Sequence, residues 1–390
     1  MGGRWRAMAL ILTARTAFGF QFQAIPAVAP DLARDLGVAF TEIGALFGLY
    51  MLPGILVAVP AGLLGRRFGD RRVALAGLAL MMAGGAVTAG AGGFLQLAIG
   101  QLVAGTGAIL MGVLTVKMTA DWFAGRDLPF AMAVMLNGFP VGMAAAQLLD
   151  PALAGSWGWR AACVAGVSGA ALAFVALALP YRPHANDRAT PSADGTAGGR
   201  LSRQEFTAVN VAGAMWAAYN GAYIVLTGFS LSYLVSRGAT PEAAGVAAAA
   251  ITLSSVAGVM AGGFIARLMA RHEAFIAITA VFWAVALSLA PILGPAPTLI
   301  VAALVGGLPA GVISSLPGQV LRARTRGAGL GVFFVWLYIG FAVTPAVAGW
   351  LTDLLARAEA PLHVASGLLI AMLPLVFIFA ALRRRMPPPG

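Results

Sequence analysis

The sequence predicts an all-α membrane protein with twelve transmembrane helices in two pseudo-symmetric six-helix bundles. Three observations lead to this prediction: the composition is apolar, the apolar residues form long runs, and arginine is concentrated in the turns on one side. Of the 390 residues, 60% are hydrophobic and 10% are charged. A soluble domain carries about 25% charged residues, so a large water-soluble core does not explain this chain.

The apolar runs have the length that a bilayer requires. A transmembrane helix needs about 20 mainly apolar residues, and helices rather than open strands are expected because unpaired backbone groups are costly in lipid. A first set of helices is predicted at residues 8–30, 41–64, 73–91, 95–119, 129–150 and 160–180. A second set is predicted at residues 205–235, 242–266, 274–292, 298–320, 328–350 and 362–382.

The two sets of helices define the predicted domains. Residues 1–180 form an N-terminal six-helix bundle, residues 181–204 a polar cytoplasmic linker, and residues 205–390 a C-terminal six-helix bundle. Two short stretches recur in the second half: Ala261-Gly262 lies 200 positions after Ala61-Gly62, and 345–349 (PAVAG) resembles 151–155 (PALAG). These repeats favour two related halves, as in transporters built from internal repeats.

Arginine gives the orientation of the chain. Most arginines fall in the turns on the side of the N-terminus, so the positive-inside rule places both termini and the linker in the cytoplasm. The expected location is the inner membrane, with multiple passes. The net charge of +11 is then explained by these turns and by contact with anionic lipids, and no nucleic-acid partner is expected.

The sequence contains no pattern of a catalytic or metal-binding protein. Cys163 is the single cysteine, and the three histidines are far apart. Phosphate-binding loops, serine elbows and paired carboxylates are missing from the sequence. We therefore predict that the protein is not an enzyme and needs no cofactor or metal, and we expect a monomer.

The turn at residues 62–73 (GLLGRRFGDRRV) is the most specific motif. It resembles the signature loop between helices 2 and 3 of the major facilitator superfamily. The matching residues are Gly62, Leu64, Gly65, Arg67, Gly69, Arg71 and Arg72. Two positions depart from the family pattern: Arg66 stands where Asp is usual, and Asp70 where a basic residue is usual. A weaker resemblance, to the cyanate and nitrate porter groups, rests on Ala120–Phe123 with Arg126 and on Asn137–Gly142.

The resemblance implies a secondary active transporter that works by rocking one half against the other. It also implies a gating or conformational role for the loop residues Gly62, Arg66, Arg67, Gly69, Asp70 and Arg71. Because Arg66 reverses the usual charge, we expect Asp70 to take over part of the acidic role by pairing with Arg324 or Arg326 near helix 11.

Two basic residues lie inside apolar runs: Arg15 in helix 1 and Lys117, the single lysine of the chain, in helix 4. A basic residue at the centre of a membrane helix costs about 2.5–3.5 kcal/mol on insertion scales, so it usually faces a cavity or a partner. Lys117 could instead snorkel or pair with Asp121, and Arg15 could bond a backbone carbonyl or polar group. No acidic residue is expected beside them at depth, which favours an anionic substrate bound by both.

Further polar and aromatic residues complete the predicted site. Tyr219, Asn220 and Tyr223 share one face of helix 7, Gln23 joins Arg15 in helix 1, and Trp336 lies in helix 11. A coupling proton, if there is one, is assigned to Asp121 or Lys117. The predicted substrate is a small organic or inorganic anion. The alternatives are an exporter of neutral or amphipathic compounds and a transporter-like sensor that binds its ligand without moving it.

Overall fold

The computed structural model describes residues 3–123, 127–179, 181, 200–269 and 271–386. These residues form α-helices and two short 3₁₀ helices, at Leu316–Gln319 and Ala323–Thr325, and no β-strand is found among them. The α-helices are α1 (Gly3–Ala27), α2 (Ala29–Leu36), α3 (Phe40–Met51), α4 (Gly54–Phe68), α5 (Asp70–Ala89), α6 (Phe94–Phe123), α7 (Leu128–Trp157), α8 (Trp159–Ala178), α9 (Arg203–Ser236), α10 (Pro241–Leu268), α11 (His272–Leu293), α12 (Pro295–Gly307), α13 (Ala310–Ser315), α14 (Arg326–Leu355) and α15 (Ala360–Arg384).

The all-helical membrane class is confirmed. Among the described residues, ten helical segments are long and apolar enough to cross a membrane, with Phe40–Phe68 and Pro295–Gln319 each counted as one segment. Helices α1 and α9 are not among the ten. They carry polar residues such as Arg15 and Asn220 inside their apolar runs, and both are largely buried by other helices.

Proline interrupts two helices that the sequence predicted as continuous. The predicted helix 41–64 is divided into α3 and α4 at Leu52-Pro53, and the predicted helix 298–320 is divided at Leu308-Pro309. Proline has no N–H group to donate and its ring clashes with the preceding turn, which explains both breaks. Pro140 and Pro345, in contrast, lie inside the uninterrupted helices α7 and α14.

The helices run between two faces of the bundle. We call the face with the start of α1 and the end of α15 the terminal face, and the opposite one the distal face. The turns of the distal face lie at residues 28, 37–39, 90–93, 158, 237–240, 294 and 356–359. These names imply nothing about which side of the membrane each face occupies.

Buried apolar residues form separate cores in the two parts of the chain. The largest core is built from residues 208–379 with Ala27 as its single member from α1. The other two cores come from residues 7–181, with only Ile224 and Phe341 contributed by later helices. We refer to the described residues up to 181 as the N-segment and to those from 200 onward as the C-segment.

Glycines allow the two segments to approach closely at two helix crossings. A Cβ atom at Gly44 of α3 would overlap the carbonyl oxygen of Pro345 in α14, and one at Gly245 of α10 would overlap that of Gln147 in α7. Small residues permit such backbone approach between membrane helices. Both crossings involve the repeated stretches 151–155 and 345–349, which lie at the distal ends of α7 and α14.

The predicted linker, residues 181–204, lies mostly outside the described residues. Of its members that are described, Tyr181 accepts a hydrogen bond from Trp122 Nε1 at 3.0 Å, and Ser202 caps α9 by accepting from Glu205 N at 3.2 Å. Arg126, part of the weaker porter resemblance, also lies outside the described residues.

Candidate functional site

The two segments are hydrogen-bonded to each other toward the distal face. Gln23 Nε2 of α1 and Gln147 Nε2 of α7 both donate to the carbonyl oxygen of Thr227 in α9, at 3.1 and 2.9 Å. Thr252 Oγ1 of α10 donates to Gln147 Oε1 at 2.7 Å. Gln23, Gln147, Thr227 and Thr252 are all fully buried, so this cluster closes the space between four helices.

A carboxylate links the segments at the other distal crossing. Asp353 of α14 accepts from Phe40 N at 3.1 Å, from Thr41 N at 2.7 Å and from Thr41 Oγ1 at 2.6 Å. These donors belong to the first turn of α3, whose backbone N–H groups have no partner within the helix. A negative group is favourable at a helix N-terminus, so Asp353 stabilises the closed crossing.

The terminal face has a different pattern of contacts. The ion pairs between described residues at this face each join two residues of the same segment, and no hydrogen bond between these residues links the segments there. These pairs are Arg4–Asp127 at 3.0 Å, Lys117–Asp70 at 2.6 Å, Arg322–Glu205 at 3.6 Å and Arg383–Glu273 at 2.6 Å.

Helix α14 shows the same difference along its length. A Cβ at Gly349, near the distal end, would overlap the carbonyl oxygen of Phe40, whereas one at Gly331, near the terminal end, meets nothing within 4 Å. Along α14, close contacts with the N-segment extend from the distal end as far as Tyr338, whose ring lies where a Cβ of Gly54 would be, and Gly331 lies beyond them. From this, together with the absence of described hydrogen bonds between the segments at the terminal face, we infer that the space between the segments opens toward that face.

Arg15 lies deep in this space, halfway along α1. Its guanidinium carbon is 5.3 Å from the ring centre of Phe18 and 5.7 Å from that of Phe139 in α7. Two glycines make room for the side chain: a Cβ at Gly112 would be 3.0 Å from Arg15 Nη1, and one at Gly138 would be 3.1 Å from Arg15 Cβ. Cation–π contacts of this kind are worth roughly 0.5–2 kcal/mol.

The guanidinium of Arg15 has no anionic partner among the described residues. Its Nε is buried without a hydrogen-bond acceptor, and the residue as a whole is half-buried. Tyr338 of α14 is close enough to interact with it electrostatically. The sequence also allowed Arg15 to bond a backbone carbonyl or a polar group. No such acceptor is found for Arg15 Nε among the described residues. A cation in such a place is poorly solvated and gains by meeting an anion.

Aromatic rings from both segments surround this position. Phe22 lies 4.3 Å from Phe47, 5.5 Å from Phe139 and 6.4 Å from Phe341, measured between ring centres. Tyr50 stacks on Phe18 at 6.1 Å. Phe341 comes from the C-segment and the others from the N-segment, so the rings join the segments on the distal side of Arg15.

Lys117 forms an ion pair with a carboxylate for which the sequence had predicted a different partner. Its Nζ lies 2.6 Å from Asp70 Oδ2, and Asp70 is fully buried. The expectation that no acidic residue lies beside Lys117 is therefore wrong. Asp70 is the first residue of α5 and lies 47 positions from Lys117 in the chain, which is why helix spacing could not reveal the pair. The described partner of Asp70 is Lys117, whereas Arg324 and Arg326 are exposed.

The signature loop forms a tight turn around this ion pair. Gly69 adopts φ 89°, in the left-handed region, and a Cβ at Gly65 would overlap Asp70 Oδ1. Arg71 Nε donates to Leu177 O at 2.9 Å, and its Nη2 donates to Ala178 O, both in α8. Arg66 and Arg67 are exposed, and Gly62 has no close neighbour beyond its own helix.

The other predicted site residues are distributed over the C-segment and the closed distal region. Tyr219 is buried and packs on Trp216 and Trp283, with ring centres at 5.4 and 5.6 Å. Asn220 Nδ2 donates to Trp216 O at 2.8 Å within its own helix. Tyr223 interacts with Ser255 of α10, and Trp336 Nε1 donates to Asn210 Oδ1 at 3.0 Å.

The predicted substrate-binding residues therefore lie in different parts of the structure. Arg15 lies in the opening between the segments, Gln23 in the distal closure, and Tyr219 in the aromatic packing of the C-segment. Asp121 is half-buried near the terminal end of α6.

Four functional candidates were not predicted from the sequence: Phe18, Phe139, Tyr338 and Asp150. Three of them are aromatic or apolar residues that look like ordinary membrane-helix packing. Asp150 is the last residue of the predicted helix 129–150, yet the structure places it inside α7 and buries it fully. The sequence carried one signal of this burial: Asp150 is followed by Pro151 and has apolar residues on both sides.

The chain belongs to the Major Facilitator Superfamily, whose sequence profile matches residues 10–235. This confirms the family indicated by the signature loop and makes the protein a transporter rather than an enzyme. No curated protein matches the sequence.

Solved transporter structures share the fold along almost the whole chain. A bacterial homolog of the human lysosomal transporter Spinster, in an inward-facing and occupied conformation, has a TM-score of 0.77 at 16% identity, covering 98% of this chain and 97% of the other. The nucleoside transporter NupG, as a D323A mutant, has 0.76 at 13%, with 96% and 99% covered. A D-xylose-proton symporter has 0.77 at 14%, with 96% and 97% covered.

Proposed function

We propose that this protein is a secondary active transporter of a small organic anion and that Arg15 binds the anion. The observation that carries the proposal is the Arg15 guanidinium, which lies between the segments without an anionic partner among the described residues. An arginine can bind a carboxylate with two parallel hydrogen bonds, and it stays protonated when buried. The bound anion would supply the negative charge that the surrounding helices do not.

The surroundings of Arg15 favour an organic over an inorganic anion. Phe18 and Phe139 flank the guanidinium, and Phe22 with Phe341 lies just beyond. A ligand with a carboxylate and an apolar body would pair its charge with Arg15 and bury its body against these rings. Binding sites in general combine an apolar lining with a few well-placed polar groups.

The same rings support the second candidate function, an exporter of neutral or amphipathic compounds. A neutral ligand would bind the aromatic surface and leave Arg15 without a counter-charge. The two functions therefore predict opposite effects of ligand charge on affinity.

Lys117 has a different role in this proposal from the one first predicted. Its ammonium is paired with Asp70, and it lies five residues from Gly112 along α6, or about 8 Å nearer the terminal face at 1.5 Å per residue. We assign Lys117 to the gating group of the signature loop, together with Asp70, Gly69 and Arg71, and leave Arg15 as the main anion-binding residue.

The transport mechanism follows from the asymmetry between the two faces. Two related six-helix bundles would rock against each other, so that the distal contacts break as the terminal side closes. The largely separate apolar cores and the paired glycine crossings support this division at residues 181–204. With both termini in the cytoplasm of an inner-membrane protein, as the arginine distribution predicts, the structure is inward-facing.

The test compares ligands that differ only in charge. Thermal unfolding of the purified protein is measured with nitrate, cyanate, acetate and larger carboxylates, each carboxylate beside its neutral amide. We expect stabilisation by at least one carboxylate and none by its amide. Arg15→Ala should weaken that binding by about 1.5–3 kcal/mol, the usual value for a hydrogen bond to a charged group, or roughly ten- to a hundredfold.

The matched control is Arg385→Ala, which removes one positive charge from an exposed position on the terminal face. It should leave carboxylate binding unchanged. If the amides stabilise the protein as well as the acids do, and Arg15→Ala binds both normally, the neutral exporter replaces the anion transporter as the proposal.

A further inference from the structure

Asp150 is a buried carboxyl group without a hydrogen-bond partner. It lies on α7, about 10 Å from the end of that helix at Trp157, at 1.5 Å per residue. Its exposure is 0%, and neither Oδ1 nor Oδ2 has a hydrogen-bond partner among the described residues. Asp353, the other carboxylate of the distal crossings, instead accepts three hydrogen bonds.

The neighbouring helices offer no counter-charge to Asp150. On α8, Cys163 is close enough to interact electrostatically, and Arg160 directs its guanidinium to Ala91 O at 2.9 Å and onto the Trp159 ring at 4.4 Å. On α10, Glu242 Oε1 lies 3.6 Å from where a Cβ of Gly155 would be, and Glu242 carries the same sign of charge as an ionised Asp150.

The other two helices packed against α7 are α1 and α6. Residues 16–27 of α1 (TAFGFQFQAIPA) contain no ionisable residue, and neither do residues 94–116 of α6, which include its distal half. Burying an ionised carboxylate without a partner is so costly that such groups take the neutral form instead. Burial without a partner therefore favours the protonated, neutral form of Asp150 while the distal face is closed.

The position of Asp150 connects this proton to the closure. Gln147, one turn earlier on α7, bonds Thr227 and Thr252 of the C-segment. Pro151, the next residue, has its Cγ 3.1 Å from where a Cβ of Gly245 would lie. Asp150 is thus flanked by two residues of the α7–α10 crossing, and separation of that crossing would admit water to the carboxyl group.

We propose that Asp150 is a proton-binding site of the transport cycle, protonated when the distal face is closed and ionised when it opens. On opening, the O–H bond of the acid breaks and the proton passes to water on the distal side; closing requires its return. The inference rests on the proposed transport function and assigns the coupling proton to Asp150 instead of Asp121 or Lys117. Because protons bind the closed state more tightly, acid pH should favour closure and alkaline pH opening.

The first test detects the proton directly. Infrared spectra of the purified protein at neutral pH should contain the C=O stretching band of a protonated carboxyl group. Asp150→Asn should remove this band, and the matched variant Asp353→Asn should retain it. If no band depends on Asp150, the group is ionised and the proposal is overturned. Should Asp150→Asn fail to fold, Asp150→Glu keeps the acid and shifts the band, which still assigns it.

The second test measures the coupling to conformation. Spin labels at Ser156 and Arg237, both exposed on the distal face, are placed in a Cys163→Ala background. Their separation should increase as the pH is raised, and Asp150→Asn should remove this pH dependence and keep the separation short. An unchanged pH response in Asp150→Asn would refute the coupling. Neither test uses a substrate, so failure of the Arg15 proposal would leave both results interpretable.

Discussion

The terminal and distal faces use polar groups for opposite purposes. At the terminal face, the ion pairs Lys117–Asp70 and Arg4–Asp127 each hold helices of one segment together. At the distal face, Gln147 and Asp353 bond the two segments to each other. Ion pairs at the terminal face therefore stabilise each segment by itself, whereas the amide of Gln147 and the carboxylate of Asp353 stabilise one arrangement of the two segments at the distal face.

This difference has a physical reason. If the segments rock as rigid units, as proposed, an ion pair inside one segment stays intact, so neither of its charges is left buried without a partner. Contacts between the segments would break in each such cycle. The neutral hydrogen bonds of Gln147 contribute about 0.5–1.5 kcal/mol each, and the Asp353 carboxylate contributes about 0.5–2 kcal/mol as a helix cap. A set of such contacts holds the distal face closed without making its opening too slow.

The largest expected effect comes from breaking the Lys117–Asp70 pair, in which the Lys117 side chain is 33% exposed and the Asp70 carboxylate is fully buried. Lys117→Ala leaves the fully buried Asp70 without its ammonium, and removal of one partner of a buried pair costs about 3–5 kcal/mol. We expect a marked loss of thermal stability, with much of it restored in the double variant Lys117→Ala/Asp70→Asn. Arg4→Ala breaks a pair that is about one-third exposed and should cost under about 1 kcal/mol. If Lys117→Ala and Arg4→Ala lost the same amount of thermal stability, the burial of Asp70 would not increase the cost of breaking its ion pair.

The second prediction separates the two ends of α14. Gly349→Ala places a methyl group against the Phe40 carbonyl, whereas Gly331→Ala adds one where nothing lies within 4 Å. Overpacking costs about 1–3 kcal/mol, so Gly349→Ala should shift the equilibrium toward an open distal face by roughly 5- to 150-fold.

A buried reporter cysteine measures this shift. Thr227→Cys, in a Cys163→Ser background, is reached from the distal side only when that face opens, so its labelling rate by an impermeant thiol reagent follows the open population. Gly349→Ala should accelerate the labelling and Gly331→Ala should leave it unchanged. Equal rates in the two variants would mean that the α3–α14 crossing does not limit opening.

The smallest effect is expected at Asp353. Its carboxylate caps the first turn of α3, and loss of such a cap costs about 0.5–2 kcal/mol. Asp353→Ala should therefore raise the same labelling rate by up to about thirtyfold, and Asp353→Asn, which keeps an acceptor oxygen, should raise it less. A slower rate in Asp353→Ala would contradict a stabilising role in the closed state.

Local sequence was enough to predict several features of this protein. The apolar composition and the length of the apolar runs predicted a helical membrane fold, because lipid leaves the backbone little alternative. The loop 62–73 indicated the family because it resembles the family's signature loop, and two of its glycines, Gly65 and Gly69, are required by the tight turn. Arg15 was identified because an unpaired basic residue in an apolar run is costly wherever the helix packs.

The tertiary structure decided which groups meet. Asp70 and Lys117 are 47 residues apart, and Gln147 meets Thr227 and Thr252 across the boundary between the segments, so no helical periodicity could reveal these pairs. Asp150 looked like a residue near a helix end, and only the packing of α1, α8 and α10 around it removes it from solvent. A charge in an apolar run can be read from the chain itself, but the partner or water that it meets depends on helices brought together by folding.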